Sequence, residues 1–216
     1  MKKKLWLIPF FAGIILILGA AGLCIYNIHE NETAFRHSQE VMTELRELIP
    51  EPKPNVTQTT SAAEVPSEDL FAPYENTSAP DEKMPAVVLY GEEYCGYITL
   101  PELGLELPVM NGWSYERLKS SPCCYSGTAD GNDLIIAAHN YNSHFGRIKE
   151  LSQGDEISFT GADGRRYLYR VDYTENIEGR DVERMFSGKA SDWDLTLFTC
   201  TLSGQSRVTV RASRTE

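Results

Sequence analysis

The stretch DLTLFTCTLSGQSRVTV, Asp194 to Val210, holds an apolar run that ends in a cysteine, then a turn, then a second run that opens with an arginine. Side chains alternate between faces in an extended chain, so Leu195, Leu197 and Thr199 share one face and Thr196, Phe198 and Cys200 the other. With the leucine face inward, Cys200 looks outward at the C-terminal end of its strand. Two readings are open for it: a small structural residue, or a nucleophile that needs exposure and a nearby base or positive charge. The second run, RVTVRA, puts Arg207, Thr209 and Arg211 on one face and Val208, Val210 and Ala212 on the other. Both arginines are therefore expected over the same outer groove. If the two runs pair through Thr201–Ser206, Arg207 lies beside Cys200 and Arg211 about 14 Å further along. A guanidinium beside a thiolate lowers the thiol pKa or stabilises an oxyanion. Taken alone, Arg207 reads equally well as a solvated surface residue.

A second strand end carries a candidate base. In NDLIIAAHNYNSHFGRI, Asn132 to Ile148, the apolar run Leu134–Ala138 terminates at His139 and enters the polar stretch Asn140–Ser143. Imidazole is the usual general acid and base because its pKa lies near neutrality, although a solvated histidine fits the same position. His144 opens a short connecting helix in this reading, either as a residue of its N-terminus or as an accessory in the groove. The H-x₄-H spacing of His139 and His144 matches no common metal pattern, and no C-x₂-C partner exists. No metal or other cofactor is expected, and calcium dependence is not legible in the sequence.

Around these segments, residues 86–216 form a domain of ordinary size. Short apolar or alternating runs at Val87–Tyr90, Gly96–Leu100, Leu105–Met110, Leu134–Ala138, Glu156–Thr160, Arg166–Tyr173, Leu195–Cys200 and Arg207–Ala212 are separated by turn signals. Eight short strands at this spacing predict a mainly β fold, an eight-stranded barrel or sandwich. Ala162-Asp163-Gly164 predicts a hairpin turn. Ser114–Ser121, His144–Leu151 and Asp181–Phe186 predict short connecting helices.

Toward the N-terminus the chemistry changes. Residues 1–4 carry Lys2, Lys3 and Lys4, and residues 5–27, LWLIPFFAGIILILGAAGLCIYN, have no strongly ionising side chain. About 20 apolar residues cross a bilayer as a helix. The leading lysines predict a single-pass anchor with a cytoplasmic N-terminus and an extracellular domain. A cleaved signal peptide, with Gly19, Ala20 and Ala21 near its cleavage site, is the competing reading, for which the apolar core is long. Residues 28–50 hold Val41, Met42, Leu45, Leu48 and Ile49 at helical spacing, predicting an amphipathic juxtamembrane helix that self-associates or lies on the membrane. Seven of the eleven prolines fall in Pro50–Pro85 among Ser, Thr, Ala and Glu. Such a segment lacks the apolar surface to offset its chain entropy, so residues 51–85 predict a disordered stalk between membrane and domain.

Setting the leading lysines aside leaves 17 of the 20 basic residues against 31 acidic ones, a net charge of about −14. This argues against nucleic acid as a partner. Four cysteines lie beyond the anchor: Cys95, Cys123, Cys124 and Cys200. An even number allows two disulfides, but the adjacent pair Cys123–Cys124 argues against an ordinary framework.

Cysteine, base and cation at three strand ends are the parts that acyl transfer requires, and here the chain resembles the sortases, membrane-anchored cysteine transpeptidases of Gram-positive bacteria. LTLFTC (Leu195–Cys200) is similar to the family's TLxTC motif, RVTVRA (Arg207–Ala212) to its arginine strand, IIAAHN (Ile135–Asn140) to its histidine segment, and GYITLPELGLELPVMNG (Gly96–Gly112) to its opening strands. Ala138 departs from the glycine many members carry before the histidine, and the stretch from Tyr173 to Leu195 is short; both bear on subclass. The resemblance implies an exported substrate with a C-terminal LPxTG-like sorting motif. It implies Cys200 as nucleophile, His139 as acid and base, and Arg207 as oxyanion partner, with Thr199 and Asn140 contacting substrate. The acceptor would be an amine of peptidoglycan or of a pilin, and the membrane is engaged through the N-terminal helix. A hydrolase of the same fold, and a non-enzymatic surface binding barrel, are the alternatives. A papain-like protease would place its cysteine ahead of the histidine, whereas Cys200 follows His139.

Overall fold

The computed structural model describes residues 7–50, 84–181, 183–186, 192–201 and 203–215. The leading lysines and nearly all of the expected stalk lie outside these residues. Helix α1 (Leu7–Leu48) opens the described chain. Nothing between Gly22 and Pro50 is glycine or proline, so no residue breaks the helix where the apolar half meets the amphipathic half. The two elements expected from sequence are thus one rod, about 63 Å long. Its apolar half is exposed, and among the described residues it is the one helix long and apolar enough to cross a membrane.

Among the described residues, nine strands form: β1 (Val87–Leu89), β2 (Glu92–Leu100), β3 (Leu105–Met110), β4 (Cys123–Ser126), β5 (Leu134–Ala137), β6 (Glu156–Gly161), β7 (Arg166–Glu178), β8 (Leu195–Cys200) and β9 (Ser206–Arg214). Their order in the sheet is β1-β2-β3-β4-β5-β8-β9-β7-β6, and β6 pairs again with β2. Eight strands therefore close into a barrel, with β1 as an outer flap on β2. Neighbours are antiparallel except β3–β4 and β5–β8. Helix α2 (Tyr115–Ser120), capped by the Ser114 hydroxyl, makes the crossover between β3 and β4. The other two expected helices are tighter: three-residue 3₁₀ turns stand at Ile148–Glu150 and Glu183–Met185. The Ala162-Asp163-Gly164 turn joins β6 to β7 as expected, with Gly161 N–H bonded to the Arg165 carbonyl and Gly164 at φ +80°.

Leu195, Leu197, Val210, Ala212, Ile98, Leu107, Ile136, Phe159 and Tyr169 meet inside the barrel. Closure requires β2 and β6 to approach closely at Gly96. There φ is +150°, and a Cβ would lie 2.0 Å from the Thr160 carbonyl oxygen, so only glycine fits. Strand β4 was missed in sequence because CCYS is short and unlike a β-branched run. It separates the vicinal cysteines: Cys124 enters the barrel core and Cys123 points out beneath α1.

Four of the five residues in the amphipathic stripe of α1 pack on the barrel rather than on lipid or a second copy of the chain, and Leu48 stays exposed. Val41, Met42, Leu45 and Ile49 pack on Leu89, Tyr94, Met110 and Cys123, on the outside of the barrel. Arg46 pairs with Glu106, and the Tyr90 hydroxyl donates to Glu44 at the edges of this contact. Burying those four side chains, at roughly 1.5–3 kcal/mol each, makes the second half of α1 part of the folded domain.

Candidate active site

The barrel's parallel pair sets the site. Strands β5 and β8 run side by side with Ala137 opposite Phe198. His139 and Cys200 each lie two residues beyond that pair, so they leave the same rim of the barrel on adjacent strands, whose backbones are about 5 Å apart. On the other side of β8, antiparallel pairing puts Arg207 opposite Cys200. The order across the rim is histidine, cysteine, arginine, with the thiol in the middle. The structure thus brings together the three residues singled out from sequence.

Cys200 is exposed and free. The other barrel cysteines are buried: burial raises the Cys123 and Cys124 thiols to about 12 and Cys95 well above its ordinary value. They are inert side chains in the packing. His139 is half-buried, and burial lowers its pKa, opposed by the side chain of Asn140. The ring is thereby kept mainly neutral, the form that accepts a proton. It stacks on Tyr141, centroids 4.0 Å apart and planes 23° apart. Arg207 Nη1 donates to the carbonyls of Gly204 and Ser206, at 3.3 and 3.4 Å, which moors the guanidinium at the β8–β9 turn. Both bonds use Nη1, and the fork retains further donors for an oxyanion.

Thr199 and Asn140 have different surroundings. The Thr199 hydroxyl is 3% exposed and donates to the Ala138 carbonyl at 2.9 Å. It clasps the ends of β5 and β8 together behind the nucleophile, which leaves the expectation of a substrate contact resting on Asn140, half-buried beside His139. His144 is not in the groove at all; it is fully buried against α1, and burial, reinforced by His139 and His37, holds its pKa down at about 4.

Arg211 is the clearest departure. Alternation assigns it to the outer face correctly, but that face is covered there. Arg211 is 0% exposed, with Nη1 on the Thr196 hydroxyl (2.7 Å) and the Met185 carbonyl (3.1 Å), and Nε on Glu175 (3.1 Å). Nη2 donates to the Arg184 carbonyl, and the guanidinium lies 4.2 Å over the Trp193 ring. It fastens the 183–185 turn to the barrel wall.

That turn contributes to a buried apolar cluster on the outside of the barrel. Ile135, Ala137, Ile177, Met185 and Phe198, all buried, make up this cluster, with Tyr125 packed against them. Tyr125 contacts Phe198 edge-on at 5.2 Å, and Trp113 and Phe186 rim the patch at 41% and 43% exposure. Phe198 precedes Cys200 by two residues on the same face, so the buried cluster ends beside the exposed thiol. Sequence reading missed Tyr125 and Phe186; their signal appears only once β4 and the 183–185 turn are placed.

Residues 98–215, more than half of the chain, match the family described as Sortase domain. The chain belongs to the sortase family. Comparison with curated proteins finds no match. Among solved structures, the fold is similar to pilus-related sortase C of Group B Streptococcus (TM-score 0.52, 24% identity, covering 63% of this chain and 77% of that one). It is similar to sortase A from Corynebacterium diphtheriae in a lid mutant (0.52, 22%, 58% and 72%) and to a Clostridium perfringens sortase D5 transpeptidase (0.51, 21%, 57% and 79%). These likenesses span three sortase classes and do not select one.

Proposed function

We propose that this chain is a membrane-tethered cysteine transpeptidase. It would cleave an LPxTG-like sorting motif of exported proteins and join the acyl part to an amine of the cell wall or of a pilin. The observation that carries the reading is the rim order His139–Cys200–Arg207 on three adjacent strands. As the Cys200 sulfur attacks the carbonyl carbon of the Thr–Gly bond, its proton passes to His139. Negative charge develops on the carbonyl oxygen, and Arg207 supplies donors and positive charge to it. The C–N bond then breaks, the proton on His139 goes to the departing amine, and a thioester remains on Cys200. The incoming amine attacks that thioester and gives its proton to His139, which returns it to the departing thiolate. Two moderate barriers replace one high one.

Apolar residues from Phe10 onward would hold the chain in the cell membrane as a single pass, N-terminus inside and barrel outside. Mass spectrometry of the full chain in lipid nanodiscs, mixed with sorting-motif peptides and an amine, tests the proposal. Expected are a thioacyl adduct on Cys200 and a ligated product, both lost in Cys200→Ala. Hydrolysed peptide alone, with amine present, would make the enzyme a hydrolase; no adduct over a broad peptide pool would sink the enzymatic reading.

A further inference from the structure

The face of α1 that meets the barrel does not stop at the apolar stripe. Ala34 and Ser38 are buried, and Glu30, Asn31 and His37 are half-buried. With Val41, Met42, Leu45 and Ile49 they mark one continuous face at three- and four-residue steps from residue 30 to residue 49. Its first turns rest on the loop that carries the candidate base. Asn31 Oδ1 accepts from the Ser143 backbone N–H at 3.1 Å and from the Ser143 hydroxyl at 3.0 Å. The Tyr141 hydroxyl donates to Glu30 at 3.2 Å. Ser38 Oγ lies 3.4 Å from His144 Nε2 and donates to the Ser120 carbonyl at 3.5 Å.

The loop is wound tightly around those anchor points. Phe145 N–H bonds to the His139 carbonyl, and the N–H groups of His144 and Gly146 both bond to the Tyr141 carbonyl. Gly146 allows this, since a Cβ there would lie 2.5 Å from the Asn140 carbonyl oxygen. Tyr141 also forms the surface on which the His139 ring stacks. A chain of contacts therefore runs from Glu30 and Asn31, through Tyr141 and Ser143, to the imidazole.

We propose that Asn31 and Glu30 are positioning residues for His139, so that the membrane helix itself sets the orientation of the acid–base. The proposal rests on the reading of His139 given above. Its consequence is that a barrel cut free of α1 keeps all three rim residues yet loses the support of one of them.

The test uses the full chain in nanodiscs, with two variants of one side chain. Asn31→Leu removes the acceptor, and Asn31→Asp keeps it. Hydrogen exchange over residues 140–146, the pH titration of the His139 ring by NMR, and kcat and KM for a sorting peptide are measured together. In Asn31→Leu, exchange at Ser143 and its neighbours rises roughly tenfold, the size expected for one lost hydrogen bond. The His139 pKa moves up toward its ordinary value as the ring is uncovered, and kcat falls roughly tenfold with KM within about twofold. Asn31→Asp stays near wild type on every readout. Unchanged exchange and unchanged titration in Asn31→Leu overturn the proposal, and so does faster exchange with kcat intact. If the wild-type chain forms no acyl-enzyme, the proposed function fails, and exchange and titration still decide whether α1 holds the histidine.

Discussion

Arg207 and Arg211 sit on the same strand and the same face, and their environments predict opposite mutant behaviour. Replacing Arg211 with methionine keeps the volume and removes a buried guanidinium that bonds the Thr196 hydroxyl, Glu175 and two carbonyls of the 183–185 turn. Breaking a buried charge pair from one side costs about 3–5 kcal/mol, because the partner is left without its counter-charge. Glu175 retains a second arginine, Arg184, at 2.6 Å, which places the expectation near about 3 kcal/mol. For a domain of this size that lowers Tm by about 10 °C. Lysine does not rescue, since an ammonium cannot reproduce the planar fork. Arg207 is only half-buried and touches two carbonyls of its own turn, so Arg207→Met stays within about 0.5 kcal/mol of wild type. Under the proposed function its loss is expected in the rate, roughly 100-fold or more in kcat, the scale of a missing oxyanion donor. Denaturant and thermal unfolding of the full chain in detergent, read beside single-turnover acylation, measure both. Arg211→Met as stable as wild type, or Arg207→Met losing stability rather than rate, would refute the division of labour drawn from burial.

Two further outcomes follow from the buried titratable groups. The folded pKa of His144, about 4, lies below its ordinary value, so between about pH 6.5 and 4 the unfolded chain binds more protons and stability falls as pH drops, by on the order of 3 kcal/mol. His144→Gln is expected to flatten the dependence of the urea midpoint on pH in that window; an identical slope in the variant contradicts this. The thiols offer a simpler check: at neutral pH iodoacetamide should label Cys200 in the folded barrel and spare Cys95, Cys123 and Cys124, while Cys123→Ser keeps activity. Labelling at Cys123 without unfolding would show that α1 does not seal that face.

Much of the barrel was legible because strand periodicity is a strong signal where one face is buried. LTLFTC occupies the residues expected of β8, and RVTVRA lies within β9, with leucines and valines inward. The rim triad followed because each member terminates or opens an apolar run. What stayed hidden was whatever depends on a second layer. Alternation says which way Arg211 points, but not that the 183–185 turn covers it. Nor does it say that Thr199 meets the Ala138 carbonyl. The docking face of α1 was half visible: Val41, Met42, Leu45 and Ile49 form a stripe, whereas Ala34 and Ser38 are small residues chosen by close approach and carry no apolar signature.

The docked helix also brings together the described residues on either side of residues 51–83. Read along the sequence, they separate a membrane anchor from a domain. In three dimensions both of their neighbours belong to the same body. Pro50 follows a helix packed on the barrel and lies against Gly164, where an added Cβ would meet its carbonyl oxygen at 2.8 Å, and Met84 packs against the barrel core. Under the proposed membrane anchoring, the distance from membrane to barrel would be set by α1. Its apolar run ends near Asn27, and Glu30 and Asn31 already touch the histidine loop about 5 Å further along the axis. Shortening residues 51–83 should therefore leave the height of the rim above the lipid unchanged. Breaking α1 between residues 27 and 30 should alter both that height and the support of His139.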